Sequence, residues 1–433
     1  MIAGKLRNLI QHLRLITHQL AGQPGAGEAT TALTNTQVAL SSVLRIITDT
    51  ATDALTLLEI THSHTTAEFN QPNDIVVSDV IWLPSVHAEL LDLTEHFGLE
   101  QYELIPDLAE TCRIEGRLVA FPYVLDLGLL YYRRDLLERH GFGAPPQTWD
   151  ELTVMASEIQ ASERAAGHAE FWGYLWQGQI SERLVLQRLE WQHAEGGGTI
   201  VEPAGTISVN NLRVQNAIER ARSWIGSISP PGIVQYDEAH TVKAWMNGNG
   251  AFMRLWTTPF SMWPAPVYRA AGANLVDVTG VTLLPSGTTR RAATLGGWPF
   301  AIRRDSRDQA SALNLIGALA SPEAQRQRAL LDEFHLPSLR RLYFDADISA
   351  KHPLTTEVLE LIEAGGLAIR PTKVAGDLYP HVANAYGRAV AKILYDGANP
   401  AETLALLEEQ LTAIGGWPVQ RLRVSRLNRW PCP

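Results

Sequence analysis

Residues 116–142 read GRLVAFPYVLDLGLLYYRRDLLERHGF and decide the fold class of the chain. Leu118–Tyr123 and Leu129–Tyr132 are short runs of aliphatic, β-branched and aromatic residues, which predict two strands. A helix is expected from about Asp135 to His140, and Gly141 is expected to end it, because glycine readily adopts the left-handed backbone found after helices. Strands followed by a helix favour an α/β fold.

The same alternation continues on both sides of this stretch. Upstream, a strand at Val43–Ile47, a helical pattern through Leu55, Leu58 and Ile60, and a strand at Ile75–Trp82 are predicted. Downstream, Thr148 is a suitable N-cap for a helix over Trp149–Ala165. The other predicted elements are the strands Val281–Leu284 and Phe300–Arg303 and the helices Val214–Ile225, Asp308–Ala320, Pro322–Leu331, Thr355–Ala364, Val382–Leu394 and Pro400–Ile414. Two α/β lobes are favoured over a barrel or a bundle.

Composition excludes several classes of protein. The chain has 433 residues, 36 basic and 46 acidic, with a formal charge of -10, which makes nucleic acid an unfavourable partner. Two cysteines, Cys112 and Cys432, form no disulfide framework, and no apolar run is long enough to predict a membrane span.

The two ends of the chain differ from its middle. Residues 1–40 predict an amphipathic helix, followed by a turn-rich stretch at Gly22–Asn35, and their apolar positions are too interrupted for a secretory signal. Residues 417–433 are rich in arginine, tryptophan and proline, and we expect them to be disordered.

Several tryptophans stand beside glycine, proline or polar residues, which suits a sugar site, since a sugar offers an apolar ring face and a rim of hydroxyls. They are Trp82, Trp245, Trp256, Trp263 and Trp298. For any one of them, a place in the core is the alternative.

Two aspartates interrupt apolar strands. Asp79 lies in VVSDVIW and Asp126 in PYVLDLG, where an unpaired buried carboxylate would cost several kcal/mol, on the order of its desolvation. Each therefore needs a ligand or a partner. The alternative to ligand binding is an aspartate that caps the next turn or pairs with an arginine.

A set of stretches stands in a characteristic order along the chain: DIVVSDVIWLP, residues 116–142, PPQTWDELTVMASEIQ, GNGAFMRLW, LGGWPFAIRRDS and RPTKVAGDLYPHVANAYGRAV. Their order resembles that of extracellular solute-binding proteins that deliver sugars to ABC importers, and most closely the trehalose and maltose binding branch. The resemblance implies a two-lobed, type II periplasmic-binding-protein-like fold, in which each lobe is a doubly wound sheet with flanking helices and a sugar binds in the cleft between them.

The resemblance also implies lobes and ligand contacts. The N-terminal lobe is expected at 41–130 plus 298–338, and the C-terminal lobe at 131–297 plus 339–416. Sugar contacts are expected from Asp79, Asp126, Trp256, Gly297, Trp298 and Arg370, with Tyr123 beside them. The implied partners are a carbohydrate and the permease subunits of an ABC transporter, for a monomer in the periplasm or outside the cell.

Other classes stay open at this point. A glycoside hydrolase would combine similar residues, but no pair of carboxylates is singled out as acid and nucleophile. No motif indicates catalytic residues, a cofactor or a metal site. Because residues 1–40 do not resemble the opening of the family, a cytoplasmic sugar sensor or a damaged copy are further alternatives.

Overall fold

A computed structural model describes residues 60–63, 74–97, 102–257, 269–270, 273–330 and 336–420. The strands are β1 Ile60–Ser63, β2 Ile75–Ser78, β3 Arg113–Ile114, β4 Arg117–Leu118, β5 Val124–Arg133, β6 Trp172–Leu175, β7 Gly250–Trp256, β8 Arg269–Ala270, β9 Ala273–Asn274, β10 Thr279–Leu283, β11 Ala293–Gly297, β12 Phe300–Ile302, β13 Leu336–Pro337 and β14 Leu367–Ala368.

Helices connect and cover these strands. They are α1 Leu83–Val86, α2 Pro106–Thr111, α3 Arg134–Arg139, α4 Trp149–Ala165, α5 Glu182–Ala194, α6 Leu212–Trp224, α7 Glu238–Met246, α8 Gln309–Ala320, α9 Pro322–Leu330, α10 Ala346–Lys351, α11 Leu354–Glu363, α12 Thr372–Ala375, α13 Tyr379–Tyr395 and α14 Pro400–Gly415. Short 3-10 turns occur at 87–89, 231–235, 276–278, 340–344 and 376–378.

The strands form two main sheets. In the smaller sheet, β2 lies between β1, which is parallel to it, and β12, which is antiparallel. In the larger sheet the order is β14-β11-β5-β7-β6, and β10 and β13 also pair with β5. Two apolar cores accompany the sheets, one around β2 and β12 and one around β5, β6 and β7.

Strand β5 organises the larger sheet because its two halves have different partners. Its first half pairs with β11, which places Gly296 opposite Asp126. Its second half pairs with β7, which places Trp256 opposite Gly128. Both partners are antiparallel to β5, so the start of β5 lies at the same edge of the sheet as the ends of β7 and β11.

A buried ion pair lies against β5. Arg254 of β7 is 1% exposed and Glu190 of α5 is fully buried. The guanidinium donates through both Nε, at 3.1 Å, and Nη2 to the two carboxylate oxygens, and the amide of Thr294 donates to the same carboxylate at 3.2 Å. A Cβ atom at Gly128 would overlap with Glu190 Oε1, so glycine is required at this position.

The eight helices predicted from Asp135 onwards are present within a few residues of their expected ends. For α4, Thr148 is the N-cap, and its hydroxyl accepts a hydrogen bond from the amide of Glu151 at 3.1 Å, as predicted. The helices over Glu182–Ala194 and Glu238–Met246 were not predicted. In α5 the buried residues include Gln187, Arg188, Glu190 and Gln192, which hides the usual apolar periodicity.

Two strand predictions and one helix prediction were wrong in detail. The strand predicted over Ile75–Trp82 ends at Ser78, because the carboxylate of Asp79 caps the turn that follows. Ile60, expected within a helical pattern, begins β1. The strand predicted over Leu118–Tyr123 is reduced to Arg117–Leu118 and a single bridge between Phe121 and Phe300.

The predictions for residues 1–40, for Val43–Ile47 and for Trp263 lie outside the described residues. Of the tail 417–433, which we expect to be disordered, the first four residues are described and contact the rest of the protein. The amide of Ile207 donates to the carbonyl of Pro418 at 2.9 Å, and the amide of Gln420 donates back to Ile207 at 2.8 Å. Residues 421–433 also lie outside the described part of the chain.

We expect Gly128→Ala to lower the free energy of unfolding by about 3 kcal/mol or more, because the new methyl group would force apart a buried ion pair. Gly143→Ala is the matched control, since a Cβ there meets no atom within 4 Å. Chemical denaturation of both variants measures the difference. Equal stability of the two variants would contradict the assigned role of the Arg254–Glu190 pair.

Candidate functional site

Four of the residues predicted to bind a ligand lie at one edge of the larger sheet, and a fifth, Asp79 of the smaller sheet, contacts one of them. Asp79 follows β2, Trp256 and Gly297 end β7 and β11, and Asp126 lies near the start of β5. Arg370 lies just beyond β14, which is parallel to β11 and therefore ends at the same edge. Ligands of α/β proteins commonly bind beyond such strand ends.

The carboxylate of Asp79 has two partners. Its Oδ1 accepts from the amide of Ile81 at 3.1 Å and lies 3.1 Å from Nη2 of Arg370. Both alternatives to a ligand role, a turn cap and a pair with arginine, therefore occur together. About 29% of the Asp79 side chain stays exposed, so the carboxylate can still accept from a ligand.

Arg370 connects three segments of the chain. Its side chain is only 3% exposed. Besides Asp79, the guanidinium donates to the carbonyl of Leu295 at 3.3 Å and to Oε1 of Glu182 at 3.4 Å. Glu182 was not predicted as a site residue, since a glutamate in the first turn of a helix is common and carries no specific signal.

Asp126 is held beside the end of β7. Its Oδ1 accepts from the amide of Thr257 at 3.0 Å. Burial raises the pKa of the Asp126 carboxyl to about 7, against the opposing effects of the Thr257 hydrogen bond and the Arg254 guanidinium. Near neutral pH this group can therefore be either a hydrogen-bond donor or an acceptor.

The ring of Trp256 rests on the buried ion pair, because the Arg254 guanidinium lies 4.3 Å from its centroid. A Cβ at Gly296 would lie 3.1 Å from Cζ3 of Trp256. At Gly297 a Cβ would lie 2.9 Å from the Val124 carbonyl oxygen and 3.0 Å from Leu108 Cδ1. Gly297 is therefore required by packing within the protein, and its predicted contact with a sugar stays a prediction.

Two other predicted residues pack in the smaller core. Tyr123 is 7% exposed, with its ring centroid 4.3 Å from that of Phe300 and the Arg328 guanidinium 3.8 Å above it. Tyr123 therefore contributes to packing, and its predicted place beside the ligand stays a prediction. Trp298 is half-buried and packs against the same core. Of the other tryptophans, Trp245 is a core residue at 1% exposure.

A cavity of about 210 Å³ adjoins the network around Arg370. It is lined by Trp82, Glu182, Tyr379, Ser181 and Asn384, among others. Aromatic rings beside a carboxylate, a hydroxyl and an amide are a typical sugar-binding surface. Within the part of the chain that the structure describes, no group of histidine, cysteine or acidic side chains could hold a metal ion, and no helix is long and apolar enough to span a membrane.

We expect Asp126→Asn to stabilise the protein at pH 8 by on the order of 2 kcal/mol, and by much less at pH 5. A carboxyl whose pKa is raised on folding favours the unfolded state increasingly as the pH rises from about 4 to about 7, because only the unfolded chain is then fully ionised. The asparagine oxygen can still accept from Thr257. Denaturation of both proteins across this range measures the difference, and a pH-independent difference would contradict it.

The chain is similar to known proteins in sequence. The family model described as bacterial extracellular solute-binding protein matches residues 67–326. A protein of Deinococcus radiodurans named "Probable ABC transporter-binding protein" is 34% identical over 345 residues, which are 79% of this chain and 80% of that protein.

Solved structures show the same fold. Maltose-bound T. maritima MalE3 superposes with a TM-score of 0.68 at 28% identity, covering 80% of this chain and 86% of that one. A solute-binding protein of Agrobacterium radiobacter K84 in complex with ribitol has a TM-score of 0.63 at 22% identity, covering 80% and 86%. The predicted two-lobed, type II periplasmic-binding-protein fold is thereby confirmed. The chain belongs to the family of bacterial extracellular solute-binding proteins.

Proposed function

We propose that this protein binds a sugar at the edge formed by Asp79, Asp126, Trp256 and Arg370, and that it delivers the sugar to the permease of an ABC importer. The observation that carries the proposal is that Asp126, Trp256 and Arg370 lie at one edge of the larger sheet, and that Asp79, which follows β2 of the smaller sheet, pairs with Arg370. Carboxylates accept from vicinal hydroxyls, a guanidinium donates, and an indole packs on the apolar face of a sugar ring.

The proposed ligand is a disaccharide such as trehalose or maltose, or a short oligosaccharide. Two lines support it: the sequence resembles the trehalose and maltose binding branch, and T. maritima MalE3, at 28% identity, was solved with maltose bound. The cavity beside Glu182 and Trp82 would extend the site past a single ring. No chemical step on the sugar is part of the proposal.

Binding would be accompanied by closure of the two lobes. Asp79 and Glu110 lie in the predicted N-terminal lobe, and Arg370 and Lys373 lie in the predicted C-terminal lobe. Their two ion pairs, Asp79–Arg370 and Glu110–Lys373, would therefore cross the cleft. The lobe boundary at 338 stays a prediction, although Leu339, Leu342 and Ile348 pack in the core of the smaller sheet.

The proposed location is the periplasm or the outside of the cell, as for the family, and the proposed state is a monomer that docks on permease subunits. An importer needs its binding protein on the side from which the solute comes. The location therefore follows from the proposed partner.

A panel of sugars tests the proposal by thermal unfolding. We expect trehalose, maltose or a related sugar to raise the midpoint, since a ligand at about 100 times its Kd adds roughly 2.7 kcal/mol to stability. In Asp79→Asn the oxygen that caps Ile81 is kept and the charge facing Arg370 is lost. We expect this variant to bind the sugar at least about 10-fold more weakly.

Asp92→Asn is the matched control, because Asp92 makes the same kind of turn with the amide of Thr94, at 2.9 Å, away from the site. It should bind the sugar like the wild type. No response of the wild type to any sugar would refute the proposed function, and equal affinity in Asp79→Asn and Asp92→Asn would refute the site.

A further inference from the structure

We infer that Glu182 is a positioning residue of this site: its carboxylate, held by the hydroxyl of Tyr379, fixes the Arg370 guanidinium against Asp79. The inference rests on the proposed function, since it names a residue through which the proposed sugar site would work. Neither Glu182 nor Tyr379 was among the residues that the sequence singled out.

The first support is the geometry of the carboxylate. Glu182 is the first residue of α5, directly after the N-cap Ser181. Its Oε1 accepts from both Nη1 of Arg370, at 3.4 Å, and the hydroxyl of Tyr379. Tyr379 is 3% exposed and begins α13. The start of each helix therefore contributes one group to a chain of contacts that ends on Arg370.

The second support is the environment of the arginine. An arginine side chain has many rotamers, and a loop residue such as Arg370 has no regular element of its own to restrict it. On the side of the larger core, Glu182 and the Leu295 carbonyl hold the guanidinium, and Asp79 then meets Nη2 at 3.1 Å. Without Glu182, one neutral carbonyl would hold the guanidinium on that side.

The third support is that the Glu182 carboxylate has two partners within the protein. Burial raises the pKa of its carboxyl, while the Arg370 charge and the Tyr379 hydrogen bond act in the opposite direction. About 29% of the Glu182 side chain is exposed, so its carboxylate is only partly desolvated. The partners that compensate the cost of this desolvation are Arg370 and Tyr379, so the three groups act together.

The test measures the Kd for the sugar and how far the effect of Glu182 on it depends on Arg370. For the sugar that raises the thermal midpoint most, calorimetry should give a Kd about 10-fold higher for Glu182→Gln than for the wild type. Tyr379→Phe should raise the Kd less. In an Arg370→Lys background, Glu182→Gln should change the Kd by less than about 2-fold, because lysine lacks the guanidinium that Glu182 positions.

Glu238→Gln is the matched control. Glu238 is also the first residue of a helix, α7, and its carboxylate also pairs with an arginine, Arg183; neither residue lines the cavity. We expect its Kd to stay within about 2-fold of the wild type. If Glu182→Gln binds sugar like Glu238→Gln, or if its loss is the same with and without Arg370, the inference is wrong.

An NMR readout keeps the inference testable without a sugar. The Nε–H signal of Arg370, assigned by its absence in Arg370→Lys, should shift or broaden in Glu182→Gln and stay in place in Glu238→Gln. An unchanged signal would overturn the positioning role even if sugar binding is found. If the wild type binds no sugar but the signal moves, the proposed function fails and the positioning of Arg370 by Glu182 stands.

Discussion

The buried pair of Arg254 and Glu190 is the interaction on which the edge of the larger sheet depends. The two charges have little contact with water, so each is tolerable only while the other stays in place. The pair joins helix α5 to strand β7, requires glycine at 128 in β5, and supports the ring of Trp256 from below. The positions of the site residues therefore follow from an electrostatic constraint deeper in the fold.

A second set of charges lies above the first. Asp79, Arg370 and Glu182 form a row in which the arginine lies between two carboxylates. The charge of Arg254 is neutralised by Glu190. Arg254 therefore contributes to the packing under Trp256 more than to the electrostatic potential in the proposed cleft. Any hydroxyl-rich ligand would meet groups whose orientation is already fixed, which lowers the entropy cost of binding.

Local sequence signals predicted the local features well. The start of α4 at Thr148 depends on one hydroxyl and one amide, and both are visible in the sequence. Asp79 and Asp126 were singled out as candidate ligand-binding residues because a carboxylate inside an apolar run is costly. Glu182 and Glu190 were missed, because their importance comes from partners 188 and 64 residues away in the chain. No local pattern carries that information.

The Asp126 carboxyl is also costly to the folded protein, which makes it informative about a ligand. A carboxyl buried enough to have its pKa raised to about 7 does not stabilise the folded protein in its ionised form. Its single strong partner is the amide of Thr257, which leaves lone pairs of the carboxyl unused. A group that costs stability and keeps unused acceptors at a strand edge is most simply explained by a ligand that donates to it. The stability that the apoprotein loses at Asp126 would then be regained when hydroxyls of the ligand complete its hydrogen bonds.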